Sequence, residues 1–342
     1  MKVDAGIQAG GLGEVPARIR KLEAAGYDGG VSAEINGDPF LPLVLAAEHS
    51  ERIELLTSIA VAFARNPMNL AYLAHDLNTF SRGRFVLGLG SQVQAHVTKR
   101  FSMPWSEPAA RMRELILALR AIWACWYEGK PLAFRGRFYT HTLMTPMFIP
   151  PQRKGPAPRV FLAAVGPRMA EVAGEVADGL IAHGFTTPRY LREVTLPAVL
   201  RGLANSGRSR ADFQICYPAF VVTGKDERAQ AAAARTLRGQ VAFYGSTPAY
   251  RPVLESSGQG ELHPELHRLS KQGRWEEMGG LVDDALLRDF AVVAEPARVA
   301  EEIERRLGGL ADRLFCTFEL PDPQLQSDAI ARLQAARSTA RP

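Results

Sequence analysis

The sequence alternates short apolar segments with amphipathic helical segments, and this alternation constrains the fold more than any other feature. Segments such as FVLGLG, from Phe85 to Gly90, and VFLAAVG, from Val160 to Gly166, are apolar throughout, and a helical segment follows each. Strands of this kind are buried on both faces, as in a parallel sheet covered by helices. Eight of them in a chain of 342 residues favour an α/β fold with a closed (β/α)8 TIM barrel over an open sheet.

Two segments interrupt the alternation. Residues 129–158 are rich in proline and aromatic residues and predict an inserted hairpin and loop, whereas residues 245–294 predict a short helical insertion before the last helix. Neither segment differs enough in composition to form a separate domain. We therefore expect a single domain over residues 1–342.

Composition limits the compartment and the partners. The formal charge of +5 comes from 41 Lys and Arg against 36 Asp and Glu, which are scattered. This excess suits an anionic cofactor or substrate but lacks the clustered footprint of a nucleic-acid-binding protein. The sequence contains neither a run long enough to span a membrane nor a signal peptide. Cys125, Cys216 and Cys316 are far apart, as buried thiols in a reducing compartment would be. These features predict a cytoplasmic protein that binds neither nucleic acid nor a membrane.

The sequence does not indicate a metal site or a serine nucleophile. The seven histidines are dispersed, and His263 and His267, four residues apart, are interpreted as part of a solvated helix face. No Gly-x-Ser-x-Gly elbow occurs. The GLGSQ run at residues 88–92 is a weak dinucleotide signal, because it lacks the third glycine and a following helix.

The segment AAVGPRMAEVAG predicts a strand that ends at Ala163 or Ala164 and a helix that begins at Pro167. Proline is favoured at the first helical position, where its missing N–H is not needed. The amides around Gly166, the positive end of the helix and the charge of Arg168 would together bind an anion. The same motif is equally typical of a simple strand-to-helix turn.

The segment LLTSIAVAFARNP, from Leu55 to Pro67, ends another predicted strand. It reaches a good N-cap at Asn66, followed by Pro67, without a turn-forming residue from Ser58 to Phe63. A bulge here would present the backbone to a flat ligand.

These segments, with GRFVLGLGSQVQAHVTKRFSMPW and NGDPFLPLVLAAEHSERIEL, resemble the bacterial luciferase-like monooxygenase superfamily, and within it the branch that uses the deazaflavin coenzyme F420. The resemblance extends from about Val3 to Thr317. It implies a (β/α)8 barrel with a flavin-type ring at the carboxyl ends of the strands, and commonly a homodimer.

The resemblance also implies the residues of the cofactor site. A non-prolyl cis peptide between Ser58 and Ile59, followed by Ala60, would support the ring from behind, and His96 would lie beside the coenzyme. The groups that the resemblance implies for binding the coenzyme phosphate are the amides of Ala164, Val165 and Gly166 and the loop of His183, Gly184 and Phe185; the motif itself adds the charge of Arg168.

Two cofactors fit such a site, and they imply different reactions. Sulfonate and alkane monooxygenases that use FMN tend to carry an Asn-x-Val-Thr pattern after the fourth strand, where this chain has LGLGSQ. This difference favours F420 and hydride transfer with a small carbonyl, imine or activated alkene. The alternatives are an FMN-dependent monooxygenase that works with a flavin reductase as partner, and a non-catalytic flavin-binding protein.

Hydride transfer to such an acceptor leaves an anion that needs a proton. Glu34, Asn36 and His96 are the catalytic candidates, whereas Asp38 is expected to cap the next helix. Relatives often have a histidine where this chain has Gly37. Together with the glycine-rich AGGLG and DGGV segments, this loss of side-chain volume predicts a wider barrel mouth for a bulky substrate.

Overall fold

The computed structural model describes residues 1–8, 10–151, 155–316 and 320–339. Its strands, in chain order, are β1 (Lys2–Gly6), β2 (Gly29–Ser32), β3 (Glu54–Thr57), β4 (Ala60–Val61), β5 (Phe85–Gly90), β6 (Phe134–Arg135), β7 (Thr140–His141), β8 (Arg159–Ala164), β9 (Gly179–Ala182), β10 (Gln214–Pro218), β11 (Phe220–Val222), β12 (Ala291–Val293) and β13 (Arg313–Phe315). Strands β1, β2, β3, β5, β8, β9, β10 and β13 pair in parallel in that order, and β13 pairs with β1. The barrel is therefore closed, which confirms the predicted fold class.

Helices cover the outside of the barrel and fill the insertions. They are α1 (Val15–Ala24), α2 (Leu41–Glu48), α3 (Pro67–Phe80), α4 (Gln94–Lys99), α5 (Pro108–Glu128), α6 (Pro167–Val176), α7 (Pro188–Tyr190), α8 (Leu196–Asn205), α9 (Glu227–Gly245), α10 (Arg251–Ser256), α11 (Leu262–Lys271), α12 (Trp275–Gly280), α13 (Asp284–Phe290), α14 (Val299–Leu307) and α15 (Pro323–Thr339). None of these helices, over the residues described, is long and apolar enough to cross a membrane.

Two helix starts agree with the sequence prediction. The side chain of Asn66 accepts a hydrogen bond from the Asn69 N–H at 2.9 Å, and α3 begins at Pro67. Helix α6 begins at Pro167, directly after β8 and its short connection. In both cases, proline occupies the first helical position because no intrahelical N–H donor is needed there.

The first insertion is confirmed as a hairpin of β6 and β7, although residues 152–154 of its loop lie outside the described residues. The second insertion contains α10 to α13, which agrees with the predicted helical insertion, but it also contains a strand that was not predicted. Residues 291–293 form β12, which pairs in parallel with β11 outside the barrel. Strand β11 follows β10 after one residue, and Val222 of β11 packs into a second core built from the insertion helices.

The amino-terminal end of the barrel interior is filled by charged side chains. Arg313 and Asp4 are both completely buried and form an ion pair, and Arg313 also pairs with Glu54. Lys2 and Arg159 contact the same Glu54 carboxylate at 2.6 Å each. Burial raises the pKa of Glu54, but these three cations outweigh it and hold that pKa well below its usual range. This end is a stabilising plug rather than a site.

Above this plug the interior is apolar, with a small cluster of Val31, Leu56, Val86, Phe161, Ile181 and Cys216. The three cysteines are buried and free, as predicted.

The glycines of the DGGV segment do not widen the barrel mouth, and that part of the prediction is wrong. They begin β2, at the opposite end of the strand. A Cβ on Gly29 would lie 2.2 Å from Asp4 Oδ1, and one on Gly30 would lie 2.8 Å from Ile19 Cδ1. The missing volume is occupied by the buried ion pair and by α1. Gly37, by contrast, has no atom within 4 Å of its Cβ position.

Candidate active site

A bulge interrupts the third barrel strand at its carboxyl end. The peptide bond between Ser58 and Ile59 is cis, as the resemblance implies, and β4 then resumes the pairing with β5. The Ser58 N–H donates to the Ser32 carbonyl at 2.8 Å, and the Ile59 carbonyl accepts from the Glu34 N–H at 3.1 Å. The bulge is therefore attached to the neighbouring strand on both sides of the cis bond.

The bulge leaves no space for a side chain at the two glycines of the LGLG run. A Cβ on Gly88 would lie 1.8 Å from the Thr57 carbonyl oxygen, and one on Gly90 would lie 2.9 Å from Ile59 Cγ1. The Thr57 hydroxyl lies 2.8 Å from both the N–H and the carbonyl of Gly88 and bonds both. The glycines thus permit close approach of two strands, and the similarity of GLGSQ to a dinucleotide fingerprint is coincidental.

Glu34 is paired. Its carboxylate accepts from the Val61 N–H at 2.7 Å and from Arg65 Nη1 at 2.6 Å, and its side chain is only 7% exposed. Arg65 also bonds Asp38 at 3.3 Å and lies over the Phe40 ring. Glu34 therefore anchors the chain that follows the bulge, and Arg65 is a site residue that the sequence analysis missed. The sequence contained a signal for this pair, because Glu34 and Arg65 have opposite charges and follow neighbouring strands of the barrel.

The Asp38 carboxylate accepts from the N–H groups of Phe40 and Leu41 at 2.8 and 3.2 Å. Asp38 thus binds two amides at the start of α2, as a capping side chain would, but the N-cap position itself is occupied by Phe40 and not by Asp38.

Asn36 and His96 are exposed on neighbouring segments at the same mouth of the barrel. The expected loop after β5 contains the short helix α4, which carries His96. Arg100 donates to the Ile35 carbonyl at 2.6 Å, and this bond connects α4 with the segment after β2. Two of the catalytic candidates are thus brought to one side of the mouth.

The amino terminus of α6 is open. Its N-cap, Gly166, is extended, and no side chain in the described part of the chain caps the helix. A Cβ on Gly166 would meet no atom within 4 Å. Arg168, in the first turn, is exposed and makes no ion pair with a described residue. A cation in this position is unfavourable for the helix dipole alone but favourable beside a bound anion.

The loop after β9 is only partly available to a ligand. The Phe185 N–H donates to His183 Nδ1 at 2.9 Å, and the Phe185 ring is completely buried. Gly184 lies against Phe220, because a Cβ on Gly184 would be 3.0 Å from the Phe220 ring. Of the three predicted residues, Phe185 therefore has its amide already engaged.

His183 lies among aromatic side chains that sequence reasoning did not identify. Its ring centroid is 4.7 Å from those of Tyr244 and Tyr250, and Nε2 is 3.4 Å from the Tyr250 hydroxyl. Burial lowers the pKa of His183 to about 4 and raises the pKa of Tyr250 to about 12. Both groups are neutral near pH 7, so His183 contributes hydrogen bonding rather than positive charge. Nothing in the local sequence pairs these distant residues.

The sequence pattern predicts a solvated helix face for His263 and His267, and that prediction is wrong. Their Nδ1 atoms bond the carbonyls of Gly245 and Ser246 at 2.8 and 2.9 Å, at the end of α9. His263 is buried, so the pair caps a helix instead of facing water. Among the described residues, no group of three or more potential metal ligands occurs.

The closed barrel has a bulge after its third strand and an uncapped helix terminus after its fifth, both at the carboxyl ends of the strands, where TIM-barrel enzymes have their active sites. The model of the luciferase-like monooxygenase family matches residues 1–313. The chain belongs to this family, whose members are oxidoreductases and monooxygenases.

Three proteins illustrate what the chain is similar to. The Mycobacterium tuberculosis protein Rv1360 is 57% identical over 297 residues, which cover 87% of each chain. The putative coenzyme F420-dependent oxidoreductase Rv3520c of the same organism is 28% identical and covers 87% of this chain and 90% of its own. The coenzyme F420-dependent tetrahydromethanopterin reductase of Methanopyrus kandleri has the same fold, with a TM-score of 0.77, 21% identity and coverage of 97% and 96%.

Proposed function

We propose that the protein binds coenzyme F420 at the carboxyl mouth of the barrel and transfers a hydride between the coenzyme and a small organic substrate. The observation that carries the proposal is the open amino terminus of α6, with Gly166 uncapped and Arg168 free of described ion pairs. The similarity to an F420-dependent family member over nearly the whole chain favours the deazaflavin.

The donor groups present suit the anionic tail of such a coenzyme. The amides of Val165 and Gly166 lie directly before the uncapped start of α6, and Arg168 supplies a charge that can pair with a phosphate. Ala164 ends the strand beside them and is small enough to leave the amides accessible. Gly184 follows the neighbouring strand β9. These groups would hold the phosphate through backbone hydrogen bonds and one guanidinium.

The coenzyme ring would lie beside the open position of Gly6 at the end of β1. Strand residues alternate between the two faces of the barrel wall, so Gly6 faces inward like the buried Asp4. A Cβ on Gly6 would have no atom within 4 Å. Ile59 and Ala163 pack on the interior cluster and form an apolar floor. The backbone from Ser58 to Ala60 would lie against the ring, which supplies the hydride chemistry when the coenzyme is bound.

The catalytic candidates have different roles in this arrangement. Glu34 is a positioning residue, because both its bonds hold the backbone and Arg65 at the bulge. The Asn36 amide is not an acid, but it can bind a substrate oxygen. His96 is exposed at the mouth on α4, and we assign it the delivery of the proton, because histidine is the side chain that most often acts as a general acid.

The test is a titration of the purified protein with F420 and, separately, with oxidised and reduced FMN, followed by ring fluorescence and by calorimetry. We expect binding of F420 at micromolar concentration or below. Arg168→Gln should weaken this binding about tenfold, whereas Arg20→Gln, an equal change of charge on the outer surface of α1, should not. Preference for reduced FMN would indicate an oxygenase with a flavin reductase partner. Binding of neither cofactor would overturn the proposal.

We also propose a homodimer formed through α2 and α3. Leu41 and Val44 of α2 are 55% and 42% exposed, and Phe80 of α3 is 53% exposed. The two helices contact each other, so this side of the barrel carries exposed apolar side chains on two neighbouring helices. Val44→Asp should convert a dimer into a monomer in light scattering after size exclusion. A monomeric wild-type protein would contradict the proposal.

A further inference from the structure

A cavity of about 440 Å³ lies between α9 and the carboxyl ends of β10 and β13. Its walls include Phe220 and Phe315 on the barrel side. Four residues of one face of α9 form the opposite wall: Ala233, Thr236, Leu237 and Gln240. The volume falls within the range of about 300 to 1,000 Å³ that is typical of pockets for small organic ligands.

The lining of this cavity contains no charged side chain among the described residues. Two aromatic rings, Phe220 and Phe315, supply apolar contact, and both are only half-buried. The Thr236 hydroxyl and the Gln240 amide are the polar side-chain groups of this lining. An anionic ligand would lose hydration without gaining a cationic partner, whereas a neutral apolar ligand would gain from contact with the rings.

The cavity adjoins the coenzyme site on two sides. Phe315 packs against the interior cluster, as does Ile59 of the bulge. Phe220 lies against Gly184 in the loop after β9. On α9, Gln240 is one helical turn from Tyr244, whose ring contacts His183. A ligand in the cavity would therefore extend from the helix α9 towards the region assigned to the coenzyme ring.

We propose that this cavity binds the apolar body of the organic substrate, and that the substrate is a neutral aromatic or branched carbonyl compound or the corresponding alcohol. The identification of the ligand as the substrate rests on the proposed function. The existence of a site for neutral apolar ligands does not, because it depends only on the lining of the cavity.

The experiment uses 2-acetonaphthone as a neutral probe and 6-acetyl-2-naphthoate as its anionic counterpart. Binding to the full-length protein is measured by saturation-transfer NMR and calorimetry, with and without F420. Ala233→Trp and Thr236→Trp place an indole in the cavity. Ala232→Trp, at an exposed position next to Ala233 on the same helix, is the matched control.

We expect wild-type protein to bind the ketone, and each cavity variant to weaken this binding at least about tenfold without changing F420 affinity. Ala232→Trp should bind as the wild type does. Equal ketone binding by all variants, equal binding of the naphthoate, or no ketone binding by the wild type would overturn the proposal. If Ala233→Trp fails to fold, Thr236→Trp decides, because Thr236 is exposed at the rim. Ketone binding that is sensitive to the cavity variants, in a protein that does not bind F420, would refute the proposed function but not the site.

Discussion

Adding a single methyl group at Gly88 should disturb the bulge more than the same change elsewhere in the barrel wall. In Gly88→Ala, the new Cβ would lie 1.8 Å from the Thr57 carbonyl oxygen, which is backbone and cannot rotate away. Either β5 or the end of β3 must move. The movement would also stretch the two hydrogen bonds between the Thr57 hydroxyl and the Gly88 backbone, both 2.8 Å long.

The expected loss of stability follows from these contacts. Overpacking in a close-packed region costs about 1 to 3 kcal/mol. Each of the two hydrogen bonds contributes about 1 kcal/mol net. Together they predict a decrease of about 3 to 5 kcal/mol in the free energy of unfolding.

Two other glycines of the same sheet provide a graded control. In Gly90→Ala, the Cβ would be 2.9 Å from the Ile59 side chain, which can turn away, so the loss should be smaller. In Gly6→Ala, no atom lies within 4 Å of the new Cβ, and stability should change by less than about 0.5 kcal/mol. Urea unfolding followed by circular dichroism measures the three differences. Equal midpoints for all three variants would refute the reasoning.

Three further predictions concern charge. Glu34→Ala leaves the Val61 N–H and Arg65 without their partner, so it should reduce F420 affinity about tenfold or more. Glu34→Gln keeps an acceptor oxygen and should reduce F420 affinity less. Equal reductions for the two variants would contradict the positioning role of Glu34. The pKa of Glu54 is lowered in the folded protein, so the ionised carboxylate stabilises the fold above about pH 4.3, and this stabilisation is lost as the pH falls below that value. In Glu54→Gln, the free energy of unfolding measured in urea should therefore decline less between about pH 5 and pH 3 than in the wild type. An unchanged decline would contradict the stabilising role of Glu54. The pKa of His183 falls from 6.5 to about 4 on folding, so between these pH values the unfolded chain binds a proton that the folded chain does not. The free energy of unfolding should therefore drop, by up to about 3 kcal/mol, as the pH falls from 6.5 to 4, and His183→Asn should remove this dependence. A His183 ring that titrates near pH 6.5 in NMR would disprove the shift.

Much of the architecture could be predicted because it depends on local patterns. Apolar strands separated by amphipathic helices determine a covered parallel sheet, and Asn66 and Pro167 mark helix starts through local hydrogen bonding and a fixed φ angle. The strand formed by residues 291–293 was missed for the opposite reason. Its three residues become a strand only because β11 leaves the barrel and pairs with them.

The site divides in the same way. The segment from Leu55 to Pro67 predicted a bulge, which the resemblance placed at Ser58 and Ile59, and the terminus at Gly166 could be located from a motif within one segment. The pairing of Glu34 with Arg65 and the aromatic surroundings of His183 depend on residues 31 and more positions apart. A single sequence contains no record of which distant side chains meet.

The sequence by itself thus determined the barrel, its family and the segments that form the carboxyl mouth, because each follows from contiguous residues with a recognisable period or cap. Only the tertiary structure decided what individual residues do there. In the folded barrel, the buried ion pair and α1 occupy the space beside the two glycines of the DGGV segment, and the bulge occupies the space beside the glycines of LGLG. The physical reason is that burial, pairing and free volume depend on atoms brought together from different strands, and these are set only when the barrel closes.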